Sequence, residues 1–174
     1  MNSHIILNYL ELLATQSKQI RHNVDGKKKF GFYEDISITG QKQMAIREFC
    51  FWIYKSVLVE KINDNGREQY FARLPVQFEI SKSISSQESI LEITQAQIDG
   101  KLICQKLWRR LLNDERERKH IFSEGIVRLE TNFDFEDIEG DFENLCGCSM
   151  KFVVKWQVDG IDEDYNETDD FILT

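Results

Sequence analysis

At 174 residues, with 41% apolar, 30% charged and 11% aromatic side chains, the chain is long enough for one domain with a buried core. Twelve Phe against one Pro exclude a disordered or proline-rich chain, which would lack the aromatics for a core. The net charge of −8 is concentrated: residues 159–170 hold seven acids and no base, and without them 23 acids face 22 bases. A general nucleic-acid binder should carry a basic excess, and this near-neutral body does not.

The first predicted element is a helix. Ile5, Ile6, Tyr9, Leu10, Leu12 and Leu13 recur at three- and four-residue spacing, and Asn2 or Ser3 can cap its start. Lys18, Arg21, Lys27, Lys28 and Lys29 follow around Gly26, as a solvated loop or as a patch for an acidic neighbour. Phe30, Phe32, Ile36 and Ile38 suggest a strand closed by Thr39-Gly40. Residues 46–62 are rich in aromatic and β-branched types, Asn63-Asp64-Asn65-Gly66 is a turn signal, and residues 70–80 resume the strand pattern. Together they predict a long β-hairpin over 46–80, because Asn-Gly supplies the positive φ of a tight turn. Pro75 lacks an N–H, which places it at an edge or bulge of the second arm.

Ser85-x-x-Glu88 reads as a capping box opening a second helix. That helix carries Ile90, Ile93, Ile98, Leu102, Ile103, Leu107, Trp108, Leu111 and Leu112, with Gly100 marking a kink or a close contact. Asp114 to Lys119 alternates in sign, as a solvated terminus does. Two alternating strands close the pattern, one through Val127, Leu129, Thr131, Phe133 and Phe135, the other through Met150, Phe152, Val154, Trp156 and Val158. The expected architecture is α+β: a mostly antiparallel sheet packed against two helices, with the hairpin as an extension. Residues 1–158 form the domain and 159–174 an acidic tail.

Catalytic signatures are missing. The sequence contains no phosphate-binding loop, dinucleotide-binding glycine fingerprint or nucleophile elbow. Cys146-Gly147-Cys148 is one pair where a tetrahedral zinc site needs four ligands, and it reads as small apolar residues at a loop–strand junction. Without an export signal, Cys50, Cys104, Cys146 and Cys148 are expected to be reduced, in a cytosolic setting. No run approaches the roughly 20 apolar residues of a membrane span. The acids Asp134, Glu136, Asp137, Glu139, Asp141 and Glu143 fall between the last two strands, interleaved with apolar anchors, as a solvent-facing loop. Trp52, Trp108 and Trp156 fit a core better than a base-stacking platform. No metal, cofactor or catalytic residue is expected.

The segment Phe142-Glu143-Asn144-Leu145-Cys146-Gly147-Cys148-Ser149-Met150-Lys151-Phe152-Val153-Val154 resembles the C-terminal signature of bacteriophage tail-terminator and tail-completion proteins. Asn144, Leu145 and Gly147 carry the likeness, and the order of elements over residues 4–158 is similar to that fold. The aromatic-rich style also resembles proteins of Bacteroidetes phages, including the short-tailed crAss-like group. The resemblance implies a tail-terminator-like α+β fold and a non-enzymatic virion protein, assembled in the host cytoplasm. Its partners would be itself, in a hexameric or dodecameric head–tail connector ring, and adjacent neck or tail ring proteins, with no membrane. In the family, the glycine at position 147 would let a loop turn into the last strand. Whether DNA passes through the lumen stays open. The alternative is a small phage-encoded inhibitor or adaptor acting through an acidic surface. A head-to-tail ring needs two complementary patches per copy. The candidates are Lys27, Lys28 and Lys29 on one side and Asp162, Glu163, Asp164, Asp169 and Asp170 on the other.

Overall fold

The computed structural model describes residues 3–34, 48–55, 58, 61–64, 70–84, 90–130, 133–138 and 145–158. Helix α1 (Ser3–Gln16) and helix α2 (Ile90–Arg116) lie against a seven-stranded sheet, confirming the α+β class. The strands are β1 (Phe30–Phe32), β2 (Cys50–Ile53), β3 (Lys61–Asp64), β4 (Tyr70–Ser83), β5 (Val127–Leu129), β6 (Asp134–Ile138) and β7 (Leu145–Val158). Every pairing is antiparallel except β1 with β2.

The centre of the sheet is the full-length pairing of β4 with β7, from Tyr70↔Val158 to Ser83↔Leu145. Each outer flank is split. On the free side of β4, β3 pairs with 70–73 and β2 with 78–81. On the free side of β7, β5 pairs with 154–156 and β6 with 147–151. Of the predicted hairpin, the antiparallel pairing of β3 with β4 is present, and its turn, 65–69, lies outside the described residues. Its second arm is the middle of the sheet, and its first arm is two short strands, so it is no projecting extension. The expected 127–135 strand is likewise two, β5 and β6.

This topology corrects the reading of Pro75. The proline sits inside a central strand, opposite Val153. Tyr54 N–H donates to the Gln77 carbonyl, so odd-numbered residues of β4 direct their main-chain groups toward β2 and β3. Glu130 N–H donates to the Val153 carbonyl, so Val153 points the opposite way. The nitrogen of Pro75 therefore faces the interval between β3 and β2, where the missing donor breaks no ladder bond.

Even-numbered residues of the central strands build the core. Ala72, Leu74, Val76, Phe78 and Ile80 join Cys148, Met150, Phe152, Val154 and Trp156 under both helices. Phe51 stacks on Phe78 at 4.5 Å, and Phe152 meets Trp108 at 5.7 Å. Helix α1 supplies Ile6, Tyr9, Leu10, Leu13 and Ala14, one face of a 3.6-residue period. All three tryptophans are buried, as core residues are.

Gly100 and Gly147 allow the closest helix–sheet approach. A Cβ on Gly100 would lie 3.0 Å from Gly147 Cα, Cys148 N and the Ile80 carbonyl oxygen, and one on Gly147 only 2.0 Å from that oxygen. Close packing, not a kink, explains Gly100, since α2 runs unbroken through it. Gly147 is the third residue of β7 and not a loop hinge. Cys146 and Cys148 are likewise buried inside β7 instead of at a junction. The expected strand through Ile36 and Ile38, the capping box Ser85–Glu88, Asn144 and the acidic segment 159–174 lie outside the described residues.

Candidate interaction surfaces

The sheet face turned away from the helices carries a row of cations. Lys61 pairs with Arg73, Arg73 with Lys155, and Lys155 with Arg128. Directly opposed residues project on the same face, so four bases from β3, β4, β7 and β5 stand side by side. Their even-numbered neighbours Ala72, Leu74, Val154 and Trp156 point into the core, which sends the row to the open side. Arg73 is held by Glu130 at 2.5 Å, and among the described residues the other three have no ion pair. Like charges directly opposed destabilise a sheet by about a few tenths of a kcal/mol per pair. Phe71 flanks the row on one side, and Pro75 with Val153 on the other, all half-buried.

A second surface lies on the far side of the molecule. Helix α2 buries Ala96, Gly100, Ile103, Cys104, Leu107 and Leu111 against the sheet. At 100° per residue, Leu91, Ile98 and Leu102 fall diametrically opposite that line, and they are exposed to 77%, 49% and 49%. A helix apolar on two opposite sides is suited to lie between two layers, and the described residues provide one of them.

Two of the five bases of the loop singled out in the sequence, Lys27 and Lys29, are spent within the fold, while Lys18, Arg21 and Lys28 are exposed. Lys29 is buried, with its Nζ paired to Glu48, and Lys27 Nζ lies 2.8 Å from the other oxygen of the same carboxylate. These two hydrogen-bonded ammonium groups, Lys27 first, draw the Glu48 carboxyl down to about 2. The Lys29 N–H also donates to His22 Nδ1 at 3.0 Å, which leaves Nε2 as the nitrogen facing Glu11 at 3.2 Å. Lys29 is thus a structural cation and not a surface patch, whereas Lys28 is exposed. Leu145 is half-buried beside Cys50 and Trp52.

Two buried polar clusters are structural in their geometry. Asp114 receives Tyr9 Oη–H at 2.6 Å and Arg110 Nε–H at 2.9 Å to each oxygen, tying α1 to α2. His120 Nε2 lies 3.9 Å from Asp114, beyond hydrogen-bond length. Burial, then the bond to Asp114, pushes the Tyr9 hydroxyl well above its ordinary range. On the sheet face away from the helices, Glu79 accepts a 2.7 Å bond from Tyr54 at one oxygen, while its other oxygen, the nearby Ser81 Oγ and Trp52 Nε1 complete no well-formed hydrogen bond among the described residues. Burial pushes the Glu79 carboxyl upward. Among the described residues no group of three His, Cys, Asp or Glu side chains could hold a metal, and no helix is long and apolar enough to cross a membrane.

The fold and surfaces define a two-layer α+β domain with helices on one face and a partly charged sheet on the other. No protein-family model, curated protein or solved structure matches the chain.

Proposed function

We propose that this chain is a structural, non-catalytic subunit that assembles with copies of itself into a ring at the neck or tail of a phage particle. The observation that carries the reading is the outer face of α2, where Leu91, Ile98 and Leu102 stand exposed directly opposite the helix's buried side. Its occupant is a second copy. The cation row lies on the other layer of the domain, so each copy presents two unlike surfaces on opposite sides, the requirement for head-to-tail association. The virion setting comes from the tail-terminator resemblance, whose Leu145 and Gly147 belong to β7.

Native mass spectrometry and light scattering of the full chain, alone and with neck or tail proteins, test this. A closed oligomer of fixed copy number that Leu102→Glu disperses is expected, together with the chain's presence in purified particles. A wild-type chain that remains monomeric under both conditions, or that engages a nucleic-acid enzyme as a monomer, refutes the ring and favours the adaptor reading.

A further inference from the structure

We infer that the row Lys61–Arg73–Lys155–Arg128 is the docking site for the acidic segment 159–170 of a second copy. This rests on the ring reading and names one of its contacts. The fold offers three of these four cations no counter-charge: among the described residues only Arg73 has one, from Glu130. Side by side on neighbouring strands, they repel one another, and an anion laid across them relieves every pair at once.

The row's dimensions fit a polypeptide. Neighbouring strands are about 4.8 Å apart, so four positions span about 14 Å. Residues 162–167 include Asp162, Glu163, Asp164 and Glu167, four acids in a stretch about 20 Å long when extended. The half-buried Phe71, Pro75 and Val153 beside the row offer apolar ground to Ile161 and Tyr165 of the same segment. A nucleic-acid strand has similar charge spacing, but the body without residues 159–170 has no basic excess, with 23 acids against 22 bases, whereas the acidic segment is present in every copy. Val158 lies three residues past Lys155 on β7, so the segment starts about 10 Å from its own row, and the ring reading is what assigns it to a neighbour's. Charge contacts of this kind set orientation and register more than affinity.

Carbodiimide cross-linking of the full chain, with isotope-labelled and unlabelled copies mixed, tests this directly. The reagent joins a carboxylate to a lysine amine only where the two touch. Bonds from Lys61 and Lys155 to acids of 159–170 are expected between labelled and unlabelled copies. Their yield should fall several-fold in Arg128→Gln, which removes a charge but no cross-linkable amine, and fall again in high salt. A ring of the expected mass without such mixed bonds overturns this inference alone, and bonds confined to like-labelled pairs overturn the second copy. Binding of a twelve-nucleotide poly-dT strand at physiological salt that Arg128→Gln abolishes would show a nucleic-acid site and overturn the acidic partner. A monomer with no such bonds ends both readings.

Discussion

Glu79→Gln isolates the electrostatic cost built into the open face of the sheet. Glu79 is 1% exposed, one oxygen accepts the Tyr54 hydroxyl, and the other, near the Ser81 hydroxyl, completes no well-formed hydrogen bond among the described residues. Burial raises its folded-state carboxyl above the ordinary 4.5, so the folded chain holds this proton more tightly than the unfolded chain does. Such an acid contributes most below the unfolded value, and its contribution is lost as pH rises toward the raised folded value. Within that window the loss is about 1.4 kcal/mol per pH unit. The glutamine mimics the protonated acid and keeps an acceptor for Tyr54. Near pH 4.5 the two proteins should therefore agree to within about 1 kcal/mol, one hydrogen bond's worth. Urea unfolding between pH 4.5 and 8 should then show the variant gaining on the wild type along that slope until it levels off. A difference that does not change with pH would falsify the assignment of Glu79 as a buried acid without a counter-charge.

Glu48 has the opposite sign: because Lys27 and Lys29 hold its carboxyl at about 2, its contribution is present above pH 4.5 and is lost as pH falls from there to about 2. Glu48→Ala leaves the Lys29 ammonium buried without its counter-charge, so chemical denaturation at pH 7 should find it clearly less stable than Lys27→Ala, which removes an exposed partner. Gly100→Ala puts a methyl 3.0 Å from three main-chain atoms and should cost about 1–3 kcal/mol, although alanine is the better helix former; a thermally more stable Gly100→Ala refutes the close approach. Helix α2 ends with Lys119 N–H bonded to the Asp114 carbonyl and Arg118 N–H to that of Glu115, with Arg118 at φ 52°. Arg118 thus holds the left-handed position that glycine usually fills in this cap. Arg118→Gly should raise the melting midpoint, by up to about 1 kcal/mol of stability, and a lowered midpoint counts against the cap.

The fold was legible wherever side-chain period and strand pairing agree. The face of β7 follows from spacing alone, as does that of α1 apart from the exposed Ile5, whereas the α2 pattern names Ile103, Leu107, Trp108 and Leu111 of the buried side together with the exposed Ile90, Ile98, Leu102 and Leu112, and misses Ala96 and Cys104. What the pattern hides is the split flanks. Between β5 and β6 the register on β7 slips by an even step, from Leu129↔Val154 to Phe135↔Met150. Leu129 and Phe135 therefore keep one face, and two strands read as one. Between β2 and β3 the slip on β4 is odd, from Cys50↔Ser81 to Lys61↔Arg73. There odd-numbered Phe51 and Ile53 face the core but odd-numbered Lys61 faces outward, so no single alternation runs through 46–62. The cation row escaped for a related reason. Residues 61, 73, 128 and 155 sit on four strands, and only the register sets them side by side. The one available signal was local: Arg128 and Lys155 already occupy the outward positions of alternating strands.

The two basic clusters differ in what the fold does with them. Lys27 and Lys29 are close in sequence and looked like a patch, yet they converge on Glu48 and one of them is buried, so their charge is consumed in holding the loop after α1 to the start of β2. Lys61, Arg128 and Lys155 are scattered in sequence and have no counter-charge among the described residues. A neutralised cation contributes to the stability of one chain, while an uncompensated one adds to the repulsion within the sheet until an anion from outside arrives. The same contrast holds for the apolar residues of α2: Ile103, Leu107 and Leu111 complete the monomer's core, and Leu91, Ile98 and Leu102 do not. The two leftovers lie on opposite layers of the sandwich, and the described residues cover neither. In the proposed ring the acidic segment of a neighbouring copy neutralises the row while the outer face of α2 packs on a second copy, and salt should weaken only the charged contact.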